Sequence, residues 1–146
     1  MIIEVTNEAE TRQFAEKLGR LLKGGETIEL VGDVGAGKTT FVKGLARGLQ
    51  IDEDVQSPSF TISRVYDARD GLQLAHYDFY RLSDAGIMAN ELAEATHDPA
   101  TITVIEWANI VEGVLPTDRL TVTFTSPSEN ERRLELSGNQ GIIKLL

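Results

Sequence analysis

The sequence predicts an α/β fold, a mixed sheet flanked by helices, and three observations point to it. A short apolar run, Thr27 to Val31, leads through a glycine-rich loop into an amphipathic pattern of Phe41, Val42, Leu45 and Leu49. A second continuous apolar run, Ile102 to Trp107, has the character of a strand buried on both faces. Between them, residues 60 to 78 alternate apolar and polar side chains around the turn Asp67 to Gly71. That pattern describes an antiparallel hairpin inserted as the main departure from a parallel sheet.

The elements follow in order. Ile2, Ile3 and Val5 make a short first strand, after which Thr6 or Asn7 caps a helix over residues 7 to 23, with Glu10 in the capping-box position. Phe14, Leu18, Leu21 and Leu22 form its apolar stripe, and Gly24-Gly25 stops it. After the second helix, Ile51 to Gln56 is an acidic loop and Ser57-Pro58-Ser59 interrupts regular structure. The hairpin strands run from Phe60 to Tyr66 and from Leu72 to Tyr77. Leu82 to Thr96, rich in Ala and Glu, predicts a helix ended by Pro99. A short helix over Ala108 to Val114 follows the Ile102 strand. Leu120 to Phe124 and Leu134 to Leu136 are closing strands around the turn Ser126 to Asn130. No repeat or linker divides the chain, so residues 1–146 are expected to form a single domain.

Composition narrows the function classes. Apolar residues at 41% and charged residues at 25% exclude a disordered chain. Lys and Arg number 14 against 23 Asp and Glu, and a net charge of −9 argues against stable independent binding to nucleic acid or an anionic membrane. Cysteine is absent, which removes thiolate chemistry and Cys-ligated metals, and two histidines do not make a zinc site alone. No run approaches the roughly 20 apolar residues of a membrane span, and the first residues lack a signal-peptide pattern, so a cytoplasmic location is expected.

The motif that carries chemistry is Gly32-x-x-x-x-Gly37-Lys38-Thr39, a complete Walker A pattern between a predicted strand and a predicted helix. Its glycines let backbone N–H groups turn toward phosphates, and the helix N-terminus adds partial positive charge. Lys38 reaches the phosphate oxygens, and the Thr39 hydroxyl ligates Mg²⁺. The expected fold is therefore P-loop NTPase-like. The nucleotide-binding set is Gly32, Asp33, Val34, Gly35, Ala36, Gly37, Lys38, Thr39 and Thr40. Such a site also needs an acid at the end of a neighbouring buried strand. Glu106 and Asp78 both qualify. Glu106 is favoured for the metal because its strand is the more continuously apolar, which leaves Asp78 to position water or a phosphate-binding switch. No Asn-Lys-x-Asp guanine-reading motif is present, which favours ATP over GTP. Leu136-Ser-Gly-Asn-Gln140 matches an ABC-type signature only superficially, since it follows a strand near the end of the chain.

Taken together, Gly32 to Thr39, Ser57-Pro-Ser-Phe-Thr61, His76-Tyr-Asp-Phe-Tyr-Arg81 and Ile105-Glu-Trp107 resemble the TsaE family, bacterial ATPases of tRNA threonylcarbamoyladenosine formation. The resemblance runs from about Thr11 to the 130s. It implies ATP in the P-loop, Mg²⁺ on Thr39 and Glu106, and a nucleotide-side contact at Thr11. It also implies work with the TsaB and TsaD proteins, whose complex ATP hydrolysis would reset, and a switch-like loop at Ser57 to Thr61.

The remaining polar and aromatic residues have plainer readings. His76 and Tyr80 read as packing residues of the hairpin, and Trp107 as a packing aromatic near the nucleotide. Arg81 either pairs with Asp78 or reaches a phosphate. Of Arg132 and Arg133, adjacent in a strand, only one can face the site. Two other function classes fit the same motif: a module in which nucleotide only orders a docking surface, and a small-molecule kinase.

Overall fold

The computed structural model describes residues 1–32, 37–56, 58, 63–80, 82, 86, 88–129 and 131–146. Asp33, Val34, Gly35, Ala36, Ser57, Ser59, Phe60, Thr61, Arg81 and Asn130, all named above, lie outside the described residues. Among those described, strands β1 (Ile2–Val5), β2 (Thr27–Val31), β3 (Ser63–Asp67), β4 (Gln73–Asp78), β5 (Thr101–Glu106), β6 (Leu120–Thr125) and β7 (Arg132–Gly138) form one sheet. Its order is β1-β7-β6-β2-β5-β4-β3. Helices α1 (Glu8–Leu21), α2 (Lys38–Gly48), α3 (Met88–His97) and α4 (Gln140–Ile143) flank it.

The four central strands, β6, β2, β5 and β4, are parallel. Both margins are antiparallel, with β3 on β4 at one side and β7 with β1 at the other. The hairpin is thus not the main departure from a parallel sheet, since β1 and β7 make an equal one. Pairing β1 with β7 joins residues about 130 positions apart, a long-range match that local patterning does not encode.

Period-two alternation divides the core. Leu74, Ile102, Val104 and Leu30 face α1 and α2, while Ala75, Tyr77 and Ile105 face α3 and the 3₁₀ turns of Ala108–Val114. On α2 and its C-cap, Phe41, Val42, Leu45 and Leu49 are fully buried, each contributing about 1.5–3 kcal/mol by leaving water. Helices α1 and α2 lie so close that their backbones touch. A Cβ built on Gly44 would stand 2.5 Å from the Arg12 carbonyl, and one on Gly48 would stand 2.3 Å from that of Glu16. The matched order of these contacts means that the two helices run in the same direction and start at the same end of the molecule.

Two predicted elements end differently. The helix expected from Leu82 begins at Met88: Leu82 N–H closes a turn on the Phe79 carbonyl, and Gly86 sits at φ +54°, outside helical geometry. The strand expected to include Trp107 stops at Glu106, because Trp107 itself adopts φ +57° and ψ +52°. The Leu136–Gln140 segment runs through the end of β7 and, through the Asn139 cap, into α4. Gly138 pairs with Leu120 at the start of β6, the end of the sheet away from the Walker loop.

Candidate nucleotide site

Strand β2 delivers Gly32 at its C-terminal end, where φ is +149° and a Cβ would lie 2.9 Å from the Phe124 carbonyl, so only glycine fits without displacement. Gly37, at φ +103°, is the cap of α2 and supplies no side-chain hydrogen bond. No acidic residue occupies the first turn of α2, and the Phe41 N–H is bonded to the Gly37 carbonyl. The N–H groups before it are those a helix leaves without intrahelical partners, at the positive end of the helix dipole, where an anion is stabilised. Thr39 is exposed and Thr40 half-buried in that turn.

The Lys38 side chain is 6% exposed. Its ammonium donates to the Gly32 carbonyl at 2.6 Å, lies 3.9 Å from Glu106 Oε1, and stands 4.4 Å from the centre of the Trp107 ring. This ring contact is a cation–π arrangement, and the left-handed backbone of Trp107 is what turns the indole under the lysine. Tyr80, half exposed, packs its ring 4.9 Å from that of Trp107. Glu29, Gly32, Lys38, Trp107 and Asn109 line a cleft of about 210 Å³ at this end of β2 and β5.

Glu106 closes β5 with its side chain almost wholly buried, and its Oε2 lies 2.7 Å from Nε2 of the fully buried His76 on β4. His76 Nδ1 has no hydrogen-bond partner among the described residues. Asp78 is level with Glu106 in the β4–β5 register, but its Oδ1 accepts the Tyr80 N–H at 3.0 Å and so shapes the turn that leaves β4. The structure therefore brings Glu106, not Asp78, to Lys38.

Thr11 is buried in the first turn of α1, which begins at the same end of the molecule as α2. Arg132 donates to the carbonyls of Ser128, Glu129 and Glu131, and Arg133 pairs with Glu4 at 3.2 Å. Both arginines are therefore engaged at the β1 margin.

The His76–Glu106 contact is what sequence reasoning missed. Alternation along β4 places His76 and Asp78 on one face, which is legible. That β5 lies beside β4 with Glu106 on the same face requires the strand order, which is not. Tyr77, on the opposite face, has its hydroxyl pushed up to about 12, first by burial and then by the Glu91 carboxylate, so it remains protonated and ties α3 to β4. A larger cleft, about 610 Å³, opens at the other end of the sheet. There the Arg69 guanidinium donates to the carbonyls of Gly19, Arg20 and Leu22 and so terminates α1.

The model of the family described as threonylcarbamoyl adenosine biosynthesis protein TsaE matches residues 5–134. The tRNA threonylcarbamoyladenosine biosynthesis protein TsaE of Bacillus subtilis is 40% identical over 129 residues, covering 88% of this chain and 79% of that one. The protein of the same description from Borreliella burgdorferi is 36% identical over 142 residues, covering 94% and 100%. Among solved structures, the crystal structure of Bacillus subtilis YdiB superposes with a TM-score of 0.80 at 32% identity, covering 99% of this chain and 89% of that one.

Proposed function

The chain belongs to the TsaE family of threonylcarbamoyl adenosine biosynthesis proteins, and from that premise we propose that it is an Mg²⁺-dependent ATPase serving N6-threonylcarbamoyladenosine formation on tRNA. It acts in the cytoplasm with TsaB and TsaD, and ATP hydrolysis resets or energises their complex. The net charge of −9 suits a subunit that leaves the tRNA to its partners. The observation that carries the proposal is the convergence of Lys38 and the buried Glu106 at the N-terminal end of α2, whose Gly37 cap makes no side-chain hydrogen bond.

The chain's own groups divide the work. Backbone N–H groups at the start of α2 and the Lys38 ammonium hold the β- and γ-phosphates of ATP, and they offset the charge that gathers there as the terminal phosphoryl group departs. Lys38 reaches those oxygens by leaving the Gly32 carbonyl, a neutral partner that competes poorly with a phosphate. The donor set fits Mg²⁺: one buried carboxylate on Glu106, the Thr39 hydroxyl and substrate oxygens are the hard ligands this ion takes. Bound there, the ion would neutralise phosphate charge and fix the polyphosphate geometry. Asp78, or a hydroxyl from Ser57 to Thr61, orients the attacking water.

The test is ATP turnover by the chain alone, with TsaB and TsaD, and by Glu106→Gln. Partner-dependent turnover that falls about 10²–10³-fold in the variant is the expected result. Sustained, repeated tRNA modification by Glu106→Gln would overturn hydrolysis as the working step and leave ATP-dependent docking. ADP formation that requires an added metabolite would mark a kinase.

A further inference from the structure

We infer that His76 is a positioning residue: its buried ring holds Oε2 of Glu106, so that Oε1 stays turned toward Lys38 and the cleft. The inference rests on reading Glu106 as the metal-side acid. A glutamate at the end of a strand has several rotatable bonds, and ordering it costs conformational entropy. Without a second tether, the ammonium 3.9 Å away would draw the carboxylate into a direct ion pair, since attraction is strong where water is excluded. That collapse would occupy both the lysine needed for phosphate and the oxygen needed for the cation.

The 2.7 Å contact prevents this collapse. It requires Nε2 to carry the proton and donate to the carboxylate, and His76, on β4 and wholly buried, has no freedom to follow Glu106 elsewhere. The strand register supplies the reach. Asp78 stands opposite Glu106 and His76 opposite Val104, so the imidazole meets the carboxylate diagonally across adjacent parallel strands. Nδ1, buried without a hydrogen-bond partner among the described residues, speaks for the same role. An apolar residue would fill that space with no unpaired nitrogen, so packing alone does not explain an imidazole there.

The measurement pairs a ring-tautomer assignment with binding. In the unmodified protein, ¹⁵N NMR of the histidine ring should show the proton on Nε2 of His76; a ring protonated only on Nδ1 would overturn the inference. Titrating Mg²⁺ by calorimetry onto the ATP-loaded chain, His76→Leu should bind the ion about 10- to 100-fold more weakly and lower kcat by a similar factor. KM for ATP should stay within about threefold. His76→Gln, whose amide can still donate to Glu106, should recover most of the loss. A His76→Leu protein that merely melts earlier while keeping its Mg²⁺ affinity and kcat would reduce His76 to a packing residue. So would a Gln variant no better than Leu. If the unmodified chain binds no Mg²⁺ with ATP, the proposed ATPase fails, and the tautomer still decides the tether by itself.

Discussion

At the first turn of α1 the chain supplies its own side-chain hydrogen-bond acceptors; at the first turn of α2, packed against it and running the same way, the Gly37 cap lends no side-chain acceptor. The Asn7 side chain accepts the Glu10 N–H at 2.9 Å, and the Glu10 carboxylate accepts from both the N–H and the hydroxyl of Thr6. This is a capping box displaced by one residue, with Glu8 and Glu10 placed against the positive end of the helix. On α2 the cap is a glycine and the first turn holds a lysine and two threonines. The same helix-end electrostatics thus stabilises the fold at one terminus and, under the proposed function, would serve a phosphate at the other.

Transplanting the α1 device onto α2 should have the largest effect. Gly37→Asp places a carboxylate where no described residue lies within 4 Å of the new Cβ, so among the described residues the fold bears only the strain of φ +103°. ATP affinity, measured by calorimetry, should fall about 30-fold, or ~2 kcal/mol, because the side chain takes the N–H groups and repels phosphate.

Separating the two helices comes next. Gly48→Ala improves helix propensity, yet its Cβ would press on the Glu16 carbonyl, a backbone atom with little room to yield. The net destabilisation in urea titration should be about 2 kcal/mol. A neutral or stabilised variant would mean that the helices separate cheaply.

Breaking the α1 cap should matter least and leave ATP binding untouched: Asn7→Ala should lose about 1 kcal/mol of stability. The cap also has a pH signature. Glu10 is held below its usual 4.5 by the Thr6 side-chain bond first and the Thr6 backbone bond second. Its folded-state value is depressed, so its contribution is present above that usual value and is lost as pH falls through the lower folded one. Glu10→Gln should therefore narrow its stability gap to the unmodified protein as the medium is acidified through that window. A gap unchanged by acid would show that the carboxylate plays no part.

The difference between the helices also marks where sequence reading succeeds. The Asn7 cap, the strand Thr27–Val31 and the strand–loop–helix order that leads into α2 all follow from local pattern, because capping, periodicity and continuous burial are properties of neighbours in the chain. The start of α3 does not, since Ala- and Glu-rich composition expresses propensity and cannot register that Gly86 leaves helical geometry. Nor do the β1–β7 margin, the Lys38–Trp107 contact or the His76–Glu106 pair. Each depends on which strands become neighbours, information held in the whole core and not in any one segment. Asn109 forms part of the cleft wall for the same reason.

The backbone of Trp107, bent into a left-handed conformation, has one more consequence. It sets the only indole in the chain against the Lys38 ammonium. Indole emission responds to a nearby charge, so an ammonium drawn away by phosphate, as the proposed function requires, would register in the emission of Trp107. Nucleotide binding would then be followed in real time without a label.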